Sequence, residues 1–353
     1  MARRKLVWHI GLAQAPRAVI EANLTEHSEA IQEAGVRVVA TVDDARLATH
    51  EILRTHREAG LSRHDVEGRW SRICDRVWEH KGISVLSTPE LCAADKDQLR
   101  FALDPLIGVE VHLVVTVDSF SQQLYGGWLA ELRSGESTGW EKYVARVLEH
   151  AVEGTREHAQ AEQFWAGHEL VSILARWGWT FHADRLHVIA QEDVTGHWRE
   201  FAALAGLPVD ELPGVVPPYA DPAGVAVLRK VNRQLDEPIG RATVDLLVRS
   251  DPGRTAMPVA PTASLRPLVE RWEPTLAHAG YDVRGDLAML TEETAEQTLP
   301  GPSDQLGVAV DALAEALGAN ASLRKQVAEL EHERDRLDRK RRKWKHRAQA
   351  ARV

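Results

Sequence analysis

Apolar residues in the first two hundred positions fall into short, nearly unbroken runs and longer stretches spaced by three or four. Leu6–Ile10, Gly35–Ala40, Gly82–Ser87, Glu110–Val117 and Leu186–Ala190 are runs of the first kind, the length and make-up of buried strands. Between them the spacing turns helical: Val19, Ile20 and Leu24, then Leu47, Ile52 and Leu53 within residues 43–59, then Trp70, Ile73, Val77 and Trp78 within 62–81. Further helices are predicted over Lys96–Leu106, about Ser119–Ser134 and Leu170–Trp177. Strands separated by helices predict an α/β protein with a parallel sheet, flanking helices and right-handed crossovers.

The pattern then changes twice. Residues 208–262 are broken by nine prolines and suit surface connection, with short helices at Leu228–Leu235 and Thr243–Val248. A linker over residues 298–305 closes a body of residues 1–297. From 306 to 353 a heptad repeat takes over. Leu306, Leu313, Asn320, Val327, Arg334 and Arg341 occupy one position, and Ala309, Ala316, Leu323, Leu330, Leu337 and Trp344 lie three residues further on. That is a coiled-coil seam of about five heptads with no proline inside it. It predicts a homodimer through residues 306–344, preferably parallel, with a single solvated helix as the alternative.

Charge sharpens this division. The chain carries a formal −9, yet residues 339–353 hold eight Lys and Arg and no acid, which leaves −17 on residues 1–338. Seven of the nine residues Arg339–Arg347 are basic, so the tail could meet an anionic partner such as nucleic acid, lipid or an acidic protein, or dock on the acidic body. No apolar run approaches the roughly 18 residues of a membrane helix, and no cleavage pattern follows Arg3, Arg4 and Lys5. Cys74 and Cys92 are too few for a disulfide framework. The expected location is the cytoplasm. His182 and His187 show no metal-ligand pattern, so no metal is expected. Eleven tryptophans read as packing mass.

The stretch Lys5–Leu24 is strand, tight turn at Gly11 and helix, the junction where α/β proteins hold anions. Its residues His9-Ile-Gly-Leu12, followed by six loop residues, resemble the opening of the bacterial sulfotransferase family, whose members draw on 3′-phosphoadenosine-5′-phosphosulfate (PAPS). Val85–Glu90, Val111–Val117, Gln123-Leu124, Trp128, Phe164-Trp165, Arg185–Ile189 and Phe201–Leu207 follow that family in order and spacing, with an echo at Ala279–Val283. The resemblance implies a P-loop-type fold and a cofactor loop at Gly11, Leu12, Ala13, Gln14, Pro16, Arg17 and Ala18.

In that family the loop reads Pro-Lys-Thr-Gly-Thr-Thr, and an Arg and a Ser after the fourth strand grip the 3′-phosphate. Here Gln14 stands at the Lys, Pro16 at the Gly, and Arg17 and Ala18 at the hydroxyls. Asp118 and Gly126 stand at the second grip. Gln14 brings no charge, Pro16 has no N–H, and Asp118 repels phosphate. Candidate bases are His9, at the end of the first strand, and Glu90, after the third; His112, by alternation, is expected on the other face of its strand. Two readings follow. One is a degenerate relative that serves as a binding and assembly module; the other is an active PAPS-dependent sulfotransferase in which Arg17 replaces the missing cation, acting on a hydroxyl or amine of a small metabolite or glycan.

Overall fold

A computed structural model describes residues 4–15, 18–179, 181–249, 257–292 and 300–350, without the side chains of 194 and 345–350. The chain opens with β1 (Lys5–Gly11), α1 (Val19–Glu26), α2 (Ser28–Glu33) and β2 (Val36–Val38). The helix expected over 43–59 is α3 (Val42–Leu53), stopped where Arg54 turns left-handed. The one expected over 62–81 is two, α4 (Arg63–Val66) and α5 (Arg69–Glu79), divided where Gly68 adopts φ 74°. After β3 (Ile83–Ser87), α6 (Lys96–Leu103) ends ahead of Pro105. Then come β4 (Glu110–Thr116) and α7 (Phe120–Arg133), the latter capped by Ser119 Oγ accepting from the Gln122 amide.

Helices α8 (Trp140–Leu148), α9 (Ala159–His168) and α10 (Leu170–Gly178) lead to β5 (Leu186–Ala190). The chain continues through α11 (Val194–Leu204), α12 (Pro222–Asn232), α13 (Arg241–Leu247), α14 (Arg266–Ala279), β6 (Asp282–Gly285) and α15 (Pro302–Ala350). The two short helices expected among the prolines are α12 and α13. The first begins earlier than expected because Asp221 caps it and Pro222 sits in its first turn.

All six strands are parallel, in the order β2-β3-β1-β4-β5-β6. The fold is therefore α/β with a parallel sheet covered by helices. After β3 the chain crosses β1 to build β4, so the loops that follow β1 and β4 part in opposite directions. A crevice opens at such a switch point, beyond the carboxyl ends of the strands.

Alternation along the strands divides the core. Leu6, Trp8, Ile10, Val111, Leu113 and Val115 face one side, and Val7, Val85, Val114 and Ile189 the other. Trp8 stacks on Trp70 with centroids 5.2 Å apart, meets Trp177 edge-on at 5.4 Å, and donates to Thr88 Oγ1 at 2.7 Å. Trp165, Trp177 and Trp198 are buried, as packing mass should be, whereas Trp179 is more than half exposed.

The last helix starts inside the expected 298–305 linker, and its first turns lie on α12 and α13. Ala309 and Ala312 pack against the core, Lys230 donates to Gln305 at 2.7 Å, and Arg249 pairs with Glu315. This changes the expected seam. Ala309 and Ala316 turn toward the body, and the bare stripe in these turns is Leu306, Val310, Leu313 and Leu317. From Asn320 onward Leu323, Val327, Leu330, Leu337 and Trp344 are each more than half exposed. By length and composition alone α15 is long and apolar enough to cross a membrane. Its apolar stretch nevertheless carries Asp311 and Glu315, the latter paired to the body.

Candidate functional site

At this switch point the described part of the β1–α1 loop meets a tight turn at Pro89–Ala93 after β3 and the Val117–Ser119 segment after β4. Gly11 is the pivot of that loop. Its φ is +137°, and a Cβ there would lie 2.8 Å from the Pro89 carbonyl oxygen and 2.9 Å from Cys92 Cβ. No larger residue fits. The loop then presses inward: the Leu12 amide donates to Thr116 O at 2.9 Å, and Leu12 and Ala13 are buried. Ala13 sits against Gly167 of α9, where a Cβ would stand 3.2 Å from its methyl. Cys92 lies beneath, its Sγ 3.3 Å from the Gly167 carbonyl, and burial pushes its thiol up to about 12, which makes it inert.

Gln14 adopts φ 57° and turns its side chain toward Gly127 of α7, where its Oε1 would lie 3.4 Å from a Cβ. Ala18, also left-handed, is the N-cap of α1 and offers no side-chain cap. Pro16 and Arg17 lie outside the described residues. Gly126 is buried within α7.

His9, an expected base, is buried with both ring nitrogens in contact with hydroxyls. Its Nδ1 is 2.6 Å from Ser87 Oγ and its Nε2 2.9 Å from Thr116 Oγ1, while Ser87 donates to Glu21 Oε1 at 2.7 Å. With the Ser87 hydrogen committed to the carboxylate, His9 donates through Nδ1 and accepts from Thr116 at Nε2. Burial, reinforced by the nearby His197, lowers its pKa to about 3. The ring is neutral at pH 7, has both nitrogens engaged, and makes a poor proton acceptor.

Glu90 does border the crevice. Solvent reaches it, yet the surrounding walls are close enough that desolvation raises its carboxyl pKa, and Glu21 adds repulsion. Glu21 is raised for the same first reason, against the pull of its Ser87 hydrogen bond. Asp118 turns Oδ1 toward His197 Nδ1 at 3.7 Å, and its backbone carbonyl accepts from Gln123 at 2.6 Å. The expected positions Gly11, Leu12, Ala13 and Glu90 therefore converge with Asp118 on one crevice. Glu21, Ser87, Thr116 and His197 were not foreseen. Ser87 and Thr116, polar residues ending apolar strands, were the available signal.

His112 lies on the same sheet face as His9, not the opposite one, but nearer the start of the strands. Its Nδ1 is 2.9 Å from His187 Nε2, and His187 Nδ1 is 2.7 Å from Asp282 Oδ2. Arg284 joins Asp282 to Glu200, so this chain fastens β6 to the sheet and takes no part in the crevice.

No protein-family model matches the chain, and no curated protein matches it. Among solved structures it is similar to a sulfotransferase from Alicyclobacillus acidocaldarius, at 13% identity and a TM-score of 0.38, over 59% of this chain and 83% of that one.

Proposed function

We propose that this chain is a sulfotransferase-like scaffold that does not transfer sulfuryl groups and instead works as a self-assembling module through α15. The observation that carries the reading is the stripe on α15: a helix anchored to the body by its first turns, then Leu323, Val327, Leu330, Leu337 and Trp344 bare to solvent. Burying one such side chain is worth roughly 1.5–3 kcal/mol, so a second copy of the same helix is the natural cover.

The crevice supports the first half of the reading. Phosphosulfate needs amides and a cation turned toward it. Here the Leu12 amide is spent on Thr116, and Glu21, Glu90 and Asp118 place carboxylates around the mouth. These residues do not fit PAPS. The basic run Arg339–Arg347 at the free end would give the assembly a second, anion-binding surface, expected to weaken as salt is raised.

The reading is tested by titrating 3′-phosphoadenosine-5′-phosphate and following thermal stability. A ligand at about 100 times its dissociation constant stabilises by about 2.7 kcal/mol. No shift at millimolar nucleotide is expected. A rise in melting temperature that Arg17→Ala abolishes would overturn the non-catalytic reading in favour of the active enzyme.

A further inference from the structure

The α8–α9 connection lies apart from both surfaces and carries the same dipeptide at each end, Glu149-His150 and Glu157-His158. The fold brings the four together. The ligand atoms of Glu149, His150 and Glu157 all lie within 4.8 Å of one another, and His158 Nε2 is 2.9 Å from Glu149 Oε2. We propose that this loop is a binding site for a first-row divalent metal ion of the zinc class.

Three observations support it. The His150 Nε2 to Glu157 Oε1 separation is 3.9 Å, too long for a hydrogen bond. Two ligands of a tetrahedral zinc, each about 2.0–2.1 Å from the ion, lie roughly 3.4 Å apart, so small rotations close the set. Second, the loop is held rather than loose. Arg156 Nη1 is shared among the carbonyls of His150, Ala151 and Thr155, its guanidinium lies 4.8 Å from the Trp165 ring centroid, and Arg271 donates to Val152 O at 2.6 Å. The cation inside the loop is thus turned to carbonyls and a ring, away from the carboxylates. Third, His150 adopts φ 52°, a left-handed backbone uncommon for a residue with a side chain.

Two carboxylates and a neutral imidazole balance a divalent charge, and the imidazole favours zinc, cobalt or nickel over calcium or magnesium. His158 acts on Glu149 from behind, as a positioning residue that orients a ligating carboxylate.

The test uses the full chain, stripped with chelator and titrated with Co²⁺, whose visible bands report its ligands, then with Zn²⁺ in competition. One ion per chain is expected, with a rise in melting temperature. The double variant His150→Ala/Glu157→Gln should abolish the bands while leaving the metal-free melting temperature unchanged, since both side chains are exposed. His158→Ala should weaken binding by about tenfold. No saturable binding, or binding that survives the double variant and so belongs to other surface histidines, would overturn the proposal.

Discussion

The two ends of this chain treat their apolar residues in opposite ways. At the first end, β1 and the start of its loop are buried: Leu6, Val7, Trp8, Ile10 and Leu12 are covered, and the polar side chains Glu21, Ser87, His9 and Thr116 bond to one another in turn. At the last end, α15 leaves a comparable number of large apolar side chains in water. The contrast separates architecture from work. Strand, turn and helix around Gly11 are what burial of β1 requires. Exposed apolar side chains elsewhere, such as Ile107 and Trp179, are scattered singly, whereas those of α15 line up along one helix.

Breaking the buried end should be expensive. Gly11→Ala places a methyl against Pro89 O and Cys92 at a φ that L residues avoid, and should cost about 3 kcal/mol or more of unfolding free energy, read by denaturant titration. His9→Leu removes two buried hydrogen bonds, leaving Ser87 only Glu21 and Thr116 only the Gly11 carbonyl, and should cost about 2 kcal/mol at pH 7. Its pH signature is specific. The His9 pKa falls from 6.5 unfolded to about 3 folded, so the unfolded state binds more protons between these values. The stability that neutral His9 supplies is present above pH 6.5 and drains away toward pH 3; the variant should flatten that acid limb.

Glu131, in α7 with one carboxyl oxygen unpartnered, tests the same end with the opposite sign. Burial, then Glu136, raises its pKa from 4.5 to about 7. Here the folded state binds the extra proton, so stability falls as pH rises from about 4.5 to 7 and levels above it. Glu131→Gln should remove that slope and stabilise the protein above pH 7 by about 1 kcal/mol, measured by melting across pH. The smallest effect belongs to the other end: Leu330→Ala, at dilutions where α15 is single, should change body stability by less than about 0.5 kcal/mol. A larger loss would mean that the stripe is covered by the body and would erase the comparison.

How much of this was legible depended on where each residue takes its instructions. The strands β1, β3, β4 and β5 could be read because their apolar runs are nearly unbroken and both faces are covered, and β2, half-buried at one edge, through its valines. The sixth could not: Asp282-Val-Arg-Gly285 is short, half polar and at the sheet edge, and becomes a strand only by pairing with β5 and through the His187–Asp282–Arg284 contacts. Gly68 divided an expected helix through a left-handed turn that apolar spacing does not record. The identities of Gln14, Pro16 and Asp118 were visible in sequence. The burial of His9, the raised carboxyls of Glu21 and Glu90, and the Leu12 amide spent on Thr116 arise from distant strands and needed three dimensions. The heptad period of α15 was legible, but that Ala309 packs on the body, because α12 and α13 lie beside it, was not.

Deleting residues 306–353 would uncover the core beneath Ala309 and Ala312, so a cut after residue 320 is the cleaner probe. The most direct measurement is the molar mass in solution, by light scattering, of the full chain beside a chain ending at residue 320 and a full chain carrying Leu323→Glu and Leu330→Glu. The account predicts twice the monomer mass for the first and the monomer mass for the other two. A full chain that runs as a monomer at micromolar concentration, or a dimer that survives both changes, would contradict it.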